Sequence, residues 1–89
     1  MKAIVTVVGK DRVGIIAGVC TQLASYNVNV LDISQTVMQG YFTMMMAVDT
    51  SKSEIPFAEL AKKLDAKGEE MGMSIRLQRE DIFDAMHRV

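Results

Sequence analysis

The sequence predicts an α+β, ferredoxin-like βαββαβ sandwich: a four-stranded antiparallel sheet with two helices on one face, plus a short C-terminal helix. Three observations carry that expectation. Period-2 and period-3.6 apolar patterns alternate along the chain in the order strand, helix, strand, strand, helix, strand. Gln39-Gly40 separates two strand-like runs as a hairpin turn would. Right-handed crossovers then place both helices on the same side of the sheet. At 89 residues the chain suits one core. Residues 1–80 are assigned to that domain and 81–89 to a helical tail packed on it.

Each element has its own reason. Residues 3 to 8, Ala-Ile-Val-Thr-Val-Val, are apolar on both alternating faces, which places strand one in the middle of the sheet. From Arg12 onward the period changes, and Ile16, Val19, Cys20 and Leu23 form an i, i+3, i+4, i+7 stripe ending near Tyr26-Asn27. The run from Val28 to Met38 has no clean apolar face and reads as an edge strand with room for a bulge. Tyr41 to Val48 alternates strictly, with Phe42, Met44, Met46 and Val48 on one face. A polar connection follows, with Ser53 as candidate N-cap and Pro56 tolerable in a first helical turn. Phe57, Leu60, Ala61, Leu64 and Met71 line one face of the second helix, which Gly68 weakens and Gly72 ends. Met73, Ile75 and Leu77 then alternate with Ser74, Arg76 and Gln78, giving a strand with one wet face. Asp81 caps the tail, and Ile82, Phe83 and Met86 share one side of it.

Composition excludes several functions that this topology hosts elsewhere. A net charge of −1 with both signs interspersed offers no field for a phosphate backbone, so nucleic acid is not an expected partner. Tyr41 and Phe42 have no aromatic counterpart on strand one, which argues against an RNA-stacking platform. No apolar run approaches a membrane span or a signal segment, and a lone Cys20 fits a reducing compartment, so a cytoplasmic protein is expected. Met44-Met45-Met46 cannot converge on one metal ion because successive strand residues face opposite ways. Arg12 sits where an acylphosphatase would hold its arginine, yet the glycine, glutamine and phenylalanine pattern around such an arginine is missing. His87 is the only histidine. No catalytic set, metal site or cofactor is expected, and the protein is read as no enzyme. The small core and the edge strand point instead to self-association as a homodimer or higher homo-oligomer.

One stretch remains, Val8-Gly9-Lys10-Asp11-Arg12-Val13-Gly14-Ile15. Asp11 suits the N-cap of the first helix, and Gly14, without a Cβ, lets a ligand approach the backbone of its first turn. The outward amides there could take a small carboxylate with no basic side chain nearby. Alone, the loop fits a capped turn and an anion cradle equally well.

With this loop, Asn27-Val28-Asn29-Val30, Asp32-Ile33-Ser34-Gln35 and Tyr41-Phe42-Thr43-Met44, nearly the whole chain resembles the ACT domain, a βαββαβ regulatory module of amino-acid metabolism. The resemblance is nearest to small stand-alone ACT proteins with a tail like Glu80 to Val89, and more distant to glycine-cleavage transcriptional repressors, which carry two such domains. It implies a non-catalytic module that binds a small effector, typically an amino acid, often between two domains. By position it carries Asp11, Gly14 and Ile15 onto the ligand loop, and Asn29 and Val30 onto the strand that faces the loop across the interface. Val13 stands where the family often has proline, which leaves the turn less constrained. The alternative from another class is a protein-interaction module with a vestigial ligand site, docking to an enzyme or regulator.

Overall fold

A computed structural model of the chain describes residues 2–10 and 13–81. Asp11, Arg12 and the tail helix expected beyond Asp81 lie outside the described residues. The elements are β1 (Lys2–Lys10), α1 (Ile15–Ser25), β2 (Asn29–Met38), β3 (Tyr41–Asp49), α2 (Phe57–Met71) and β4 (Ser74–Arg79). They form one sheet in the order β2-β3-β1-β4, with every neighbouring pair antiparallel.

The alternation read from the sequence decides which face of the sheet is dry. On β1 the side chains of Ala3, Val5 and Val7 are buried, and on β3 those of Phe42, Met44, Met46 and Val48. Val5 lies opposite Met46 and Val7 opposite Met44, so the two central strands present one continuous apolar surface. Met73 and Ile75 extend it at β4, and Ile15, Val19 and Leu23 of α1 with Leu60 and Leu64 of α2 close it from above. Each fully buried side chain of this kind contributes roughly 1.5–3 kcal/mol by leaving water.

Three local expectations shift. The buried stripe of α1 is Ile15, Val19 and Leu23, while Ile16 is 37% exposed. The i, i+4, i+8 spacing of Ile15, Val19 and Leu23 satisfies the same period one residue earlier, and only docking on the sheet selects it. The N-cap of α1 is Gly14, with no side-chain hydrogen bond, so Asp11 is not the cap. Likewise Ser53 does not cap α2: its hydroxyl donates to the Ile55 carbonyl at 2.8 Å, and the cap residue is Pro56.

Gly68 does more than weaken α2. A Cβ there would meet the Met73 carbonyl oxygen at 2.7 Å, so the missing side chain is what lets α2 lie against the chain entering β4. Gly72, in a left-handed conformation, ends the helix as expected.

Strand β2 carries a bulge between Val30 and Asp32, leaving Leu31 outside the ladder. Beyond it Ile33 and Val37 stand opposite Met46 and Phe42, on the helix side of the sheet. The helices do not cover them, and every residue from 31 to 38 is exposed. The edge predicted from the sequence is therefore open on both faces and along its backbone.

Gly68→Ala should lower the urea midpoint. Overpacking against a backbone oxygen costs about 1–3 kcal/mol, against the roughly 1 kcal/mol by which alanine is the better helix former. A midpoint equal to or above that of the wild type would show that the helix can shift away.

Candidate functional site

The loop between β1 and α1 follows Lys10, which pairs with Tyr41 at the hairpin end of the sheet. Gly14 has φ 90° and ψ 4°, a left-handed conformation that an L side chain adopts only under strain. Among the described residues other than its two chain neighbours, no heavy atom lies within 4 Å of where its Cβ would be. The Gly14 carbonyl accepts the Gly18 N–H at 2.9 Å and starts the helix, while the amides of the first turn have no partner within the helix by its geometry. The side chain of Ile15 is buried in the core, so its contribution to a site is limited to its backbone.

Asn29 and Val30 lie at the other end. Asn29 pairs with Asp49, and Asp49 with Lys2, so they share a row with the start of β1. β1 has 9 residues. At about 3.3 Å per residue, roughly 26 Å separates that row from the end carrying the loop. One chain does not bring the predicted residues together. Val30 turns its side chain toward the core, and Asn29 remains exposed.

Asn29 nevertheless lines a cleft of about 400 Å³ together with Ala24, Asn27, Val28, Asp49, Ser51 and Lys52. Two connections build it, from α1 to β2 and from β3 to α2. Asn27, with φ 62°, donates from Nδ2 to the Lys52 carbonyl at 3.1 Å, and the Glu54 N–H donates to the Tyr26 carbonyl at 2.9 Å. These bonds fasten the two connections to one another. The Ser51 N–H donates to Asp49 Oδ1 at 2.9 Å. That backbone bond first, and the Ser51 hydroxyl second, hold the Asp49 carboxyl below its ordinary pKa of 3.8, so it is a carboxylate at neutral pH.

Asn27, Asp49, Ser51 and Lys52 were not among the residues singled out from the sequence. Their connections are far apart along the chain, and only the β2·β3 pairing brings them together. The Asn-x-Asn spacing after a helix was the available signal, because asparagine tolerates the left-handed conformation Asn27 adopts. A second cleft of about 470 Å³, between α2 and β4, contains none of the predicted residues. Among the described residues no group of three or more His, Cys, Asp or Glu side chains could hold a metal ion. Among them, too, no helix is long and apolar enough to cross a membrane.

The model of the ACT domain family matches residues 2–78. The chain is 53% identical to the UPF0237 protein of Listeria innocua over the full length of both. This chain belongs to the ACT-domain family. Its fold matches an ACT domain protein from Streptococcus pneumoniae with a TM-score of 0.82 and 45% identity, covering 98% of each chain. It also matches the regulatory subunit of aspartate kinase from Thermus thermophilus, with a TM-score of 0.66 and 25% identity over 86% of this chain and 50% of that one. As an ACT domain the chain is a regulatory module, not an enzyme.

Two outcomes follow for this ACT domain. Gly14→Ala should cost about 1–2 kcal/mol through backbone strain alone, and Gly14→Asn distinctly less, because asparagine tolerates the left-handed region; thermal unfolding of both checks this. In a carboxyl-carbon NMR titration Asp49 should show a midpoint below 3.8. Because the folded state depresses this pKa, its stabilising contribution is present above the unfolded value and lost as the pH falls through the folded one. Ser51→Ala should recover part of the shift but not all, since the backbone donor remains.

Proposed function

We propose that this ACT domain binds a small effector, an amino acid, at an interface between two copies of the chain, and that binding is its regulatory signal. The observation that carries the reading is the separation of the two matched motifs to opposite ends of the sheet, together with the open edge at β2. Antiparallel pairing of β2 with a second β2 would continue the sheet to eight strands and reverse one copy relative to the other. The loop end of one copy then comes beside the Asn29 end of its partner. Carboxylate oxygens would meet the Gly14 and Ile15 amides, and Asn29 would hold the remaining polar group through its amide.

The exposed edge supports this arrangement. Ile33 and Val37 lie on the helix side without cover, and Val37 is 53% exposed. Pairing along the edge would give their side chains neighbours and their strand's outer backbone groups partners. The UPF0237 likeness runs the full length of both chains, and the aspartate kinase likeness is to a subunit whose name is regulatory; both agree with a binding module.

A thermal-shift screen against the common amino acids tests the reading. A ligand at 100 times its dissociation constant should stabilise by about 2.7 kcal/mol. Gly14→Val and Asn29→Ala should abolish the shift and leave the sedimentation coefficient unchanged. Ile33→Lys combined with Val37→Lys should give a monomer that no longer responds to the ligand. No response of the wild type to any amino acid would favour docking to another protein, for which Met38, Tyr41 and Met45 on the outer face of the sheet offer exposed apolar surface.

A further inference from the structure

The cleft of about 470 Å³ between α2 and β4 lies beside a second open edge. Among the described residues β4 pairs with β1 alone, so the sheet ends there as it does at β2. An uncovered edge is a template for pairing, and natural sheets often protect one with a helix. The tail from Ile82 to Val89 follows directly on the end of β4. We propose that this tail docks as a helix in the α2/β4 cleft of its own chain and closes the β4 edge, so that β2 is the edge left for pairing with a second copy. The assignment does not depend on the effector site.

The point where the tail leaves β4 favours this cleft. Arg79 stands opposite Ala3, which is buried on the helix side of the sheet, so Arg79 is on that side too. Its Nη2 donates to Asp81 Oδ2 at 2.8 Å, and helical geometry has begun at Glu80. This exposed pair adds little stability, but it draws the departing chain toward the helices rather than the outer face. Length fits as well. Glu80 to Arg88 spans about 12 Å as a helix, against about 20 Å for the 6 residues of β4. The tail thus reaches past the middle of the strand it follows.

The chemistry of the two surfaces matches. Ile82, Phe83 and Met86 share one side of the tail, and the cleft offers Ala61 and Leu77, both only partly buried by the rest of the domain. Asp65 and Glu69 line it too, one turn apart on α2, and among the described residues neither makes an ion pair. Gly68 packs on Met73 and Ile75, which sets this acidic turn beside the first half of β4. His87 and Arg88, the cationic residues of the tail, come level with it. Arg76 also reaches the cleft, but from the row of Thr6, on the outer face. An uncovered β4 would accept the β2 of another copy, and such head-to-tail pairing repeats into an open ribbon instead of closing at two. The tail is therefore what limits assembly.

The experiment keeps the full chain. In a Cys20→Ala background, which removes the natural thiol, Val89→Cys carries a nitroxide spin label, and amide line broadening is read by NMR on isotope-labelled protein. Broadening should be strongest at Asp65, Glu69, Ser74 and Ile75. Strongest broadening at Thr6, Met45 and Ala47 would place the tail on the outer face and overturns the proposal, as does broadening no stronger at the cleft than elsewhere. Mixing spin-labelled chains that lack the isotope with isotope-labelled chains that lack the spin label isolates contacts between copies; if all the cleft broadening arises there, docking within one chain is overturned. Ile82→Ser, Phe83→Ser and Met86→Ser combined should abolish the cleft broadening and give species larger than those of the wild type in sedimentation velocity. Broadening that survives these changes overturns the apolar docking, and an unchanged size distribution overturns the role of the tail in limiting assembly.

Discussion

The antiparallel pairing of β1 with β3, from Lys2 opposite Asp49 to Lys10 opposite Tyr41, is the constraint on which the rest of the structure depends. It joins segments separated along the chain by α1 and β2, and its loop-closure cost must be offset by side chains that meet only when the pair forms. Val5, Val7, Met44 and Met46 are those side chains, all fully buried. Three methionines in succession suit this place. Met44 and Met46 fill the core with flexible side chains, and Met45 faces the other way, so the run adds packing material without creating a metal site.

The same register places the two ends of the candidate site. Every residue of β1 has a fixed partner on β3, and β3 passes that register to β2. The loop after Lys10 and the row of Lys2, Asp49 and Asn29 are thereby held at opposite ends of a stiff sheet. Fluctuation of a single domain cannot bring them together without unpairing the central strands. In the arrangement proposed above, a second copy supplies the missing half. The bulge at Leu31 matters for the same reason: without it, the alternation of β2 would be reversed, and Ile33 and Val37 would sit on the outer face rather than on the helix side.

The fold was legible in the sequence because its elements rely on strong, local patterns. Strict alternation in Tyr41 to Val48 and a doubly apolar Ala3 to Val8 suit a strand and little else, and Gly72 marks the end of α2. Less was legible where a pattern tolerates two phases. The α1 stripe fits starting at Ile15 or at Ile16, and Asp11, Ser53 and Gly14 are all acceptable capping residues in isolation. The candidate site was half legible. Gly14 could be singled out by residue type and Asn29 by its position in the ACT-domain resemblance, while Asp49 and Lys52 carry no motif and gain meaning only from their place beside Asn29.

Sequence alone determined the order of elements, the central position of β1 and the edge character of β2, because these follow from hydrophobic period and turn chemistry within short windows; the regulatory class came from the resemblance to the ACT domain. Tertiary structure decided which face of α1 is buried, why Gly68 is glycine, and that the loop after β1 and Asn29 stand apart in one chain. Those outcomes depend on distances between segments remote along the chain, and such distances are set by strand register and helix docking rather than by any local pattern.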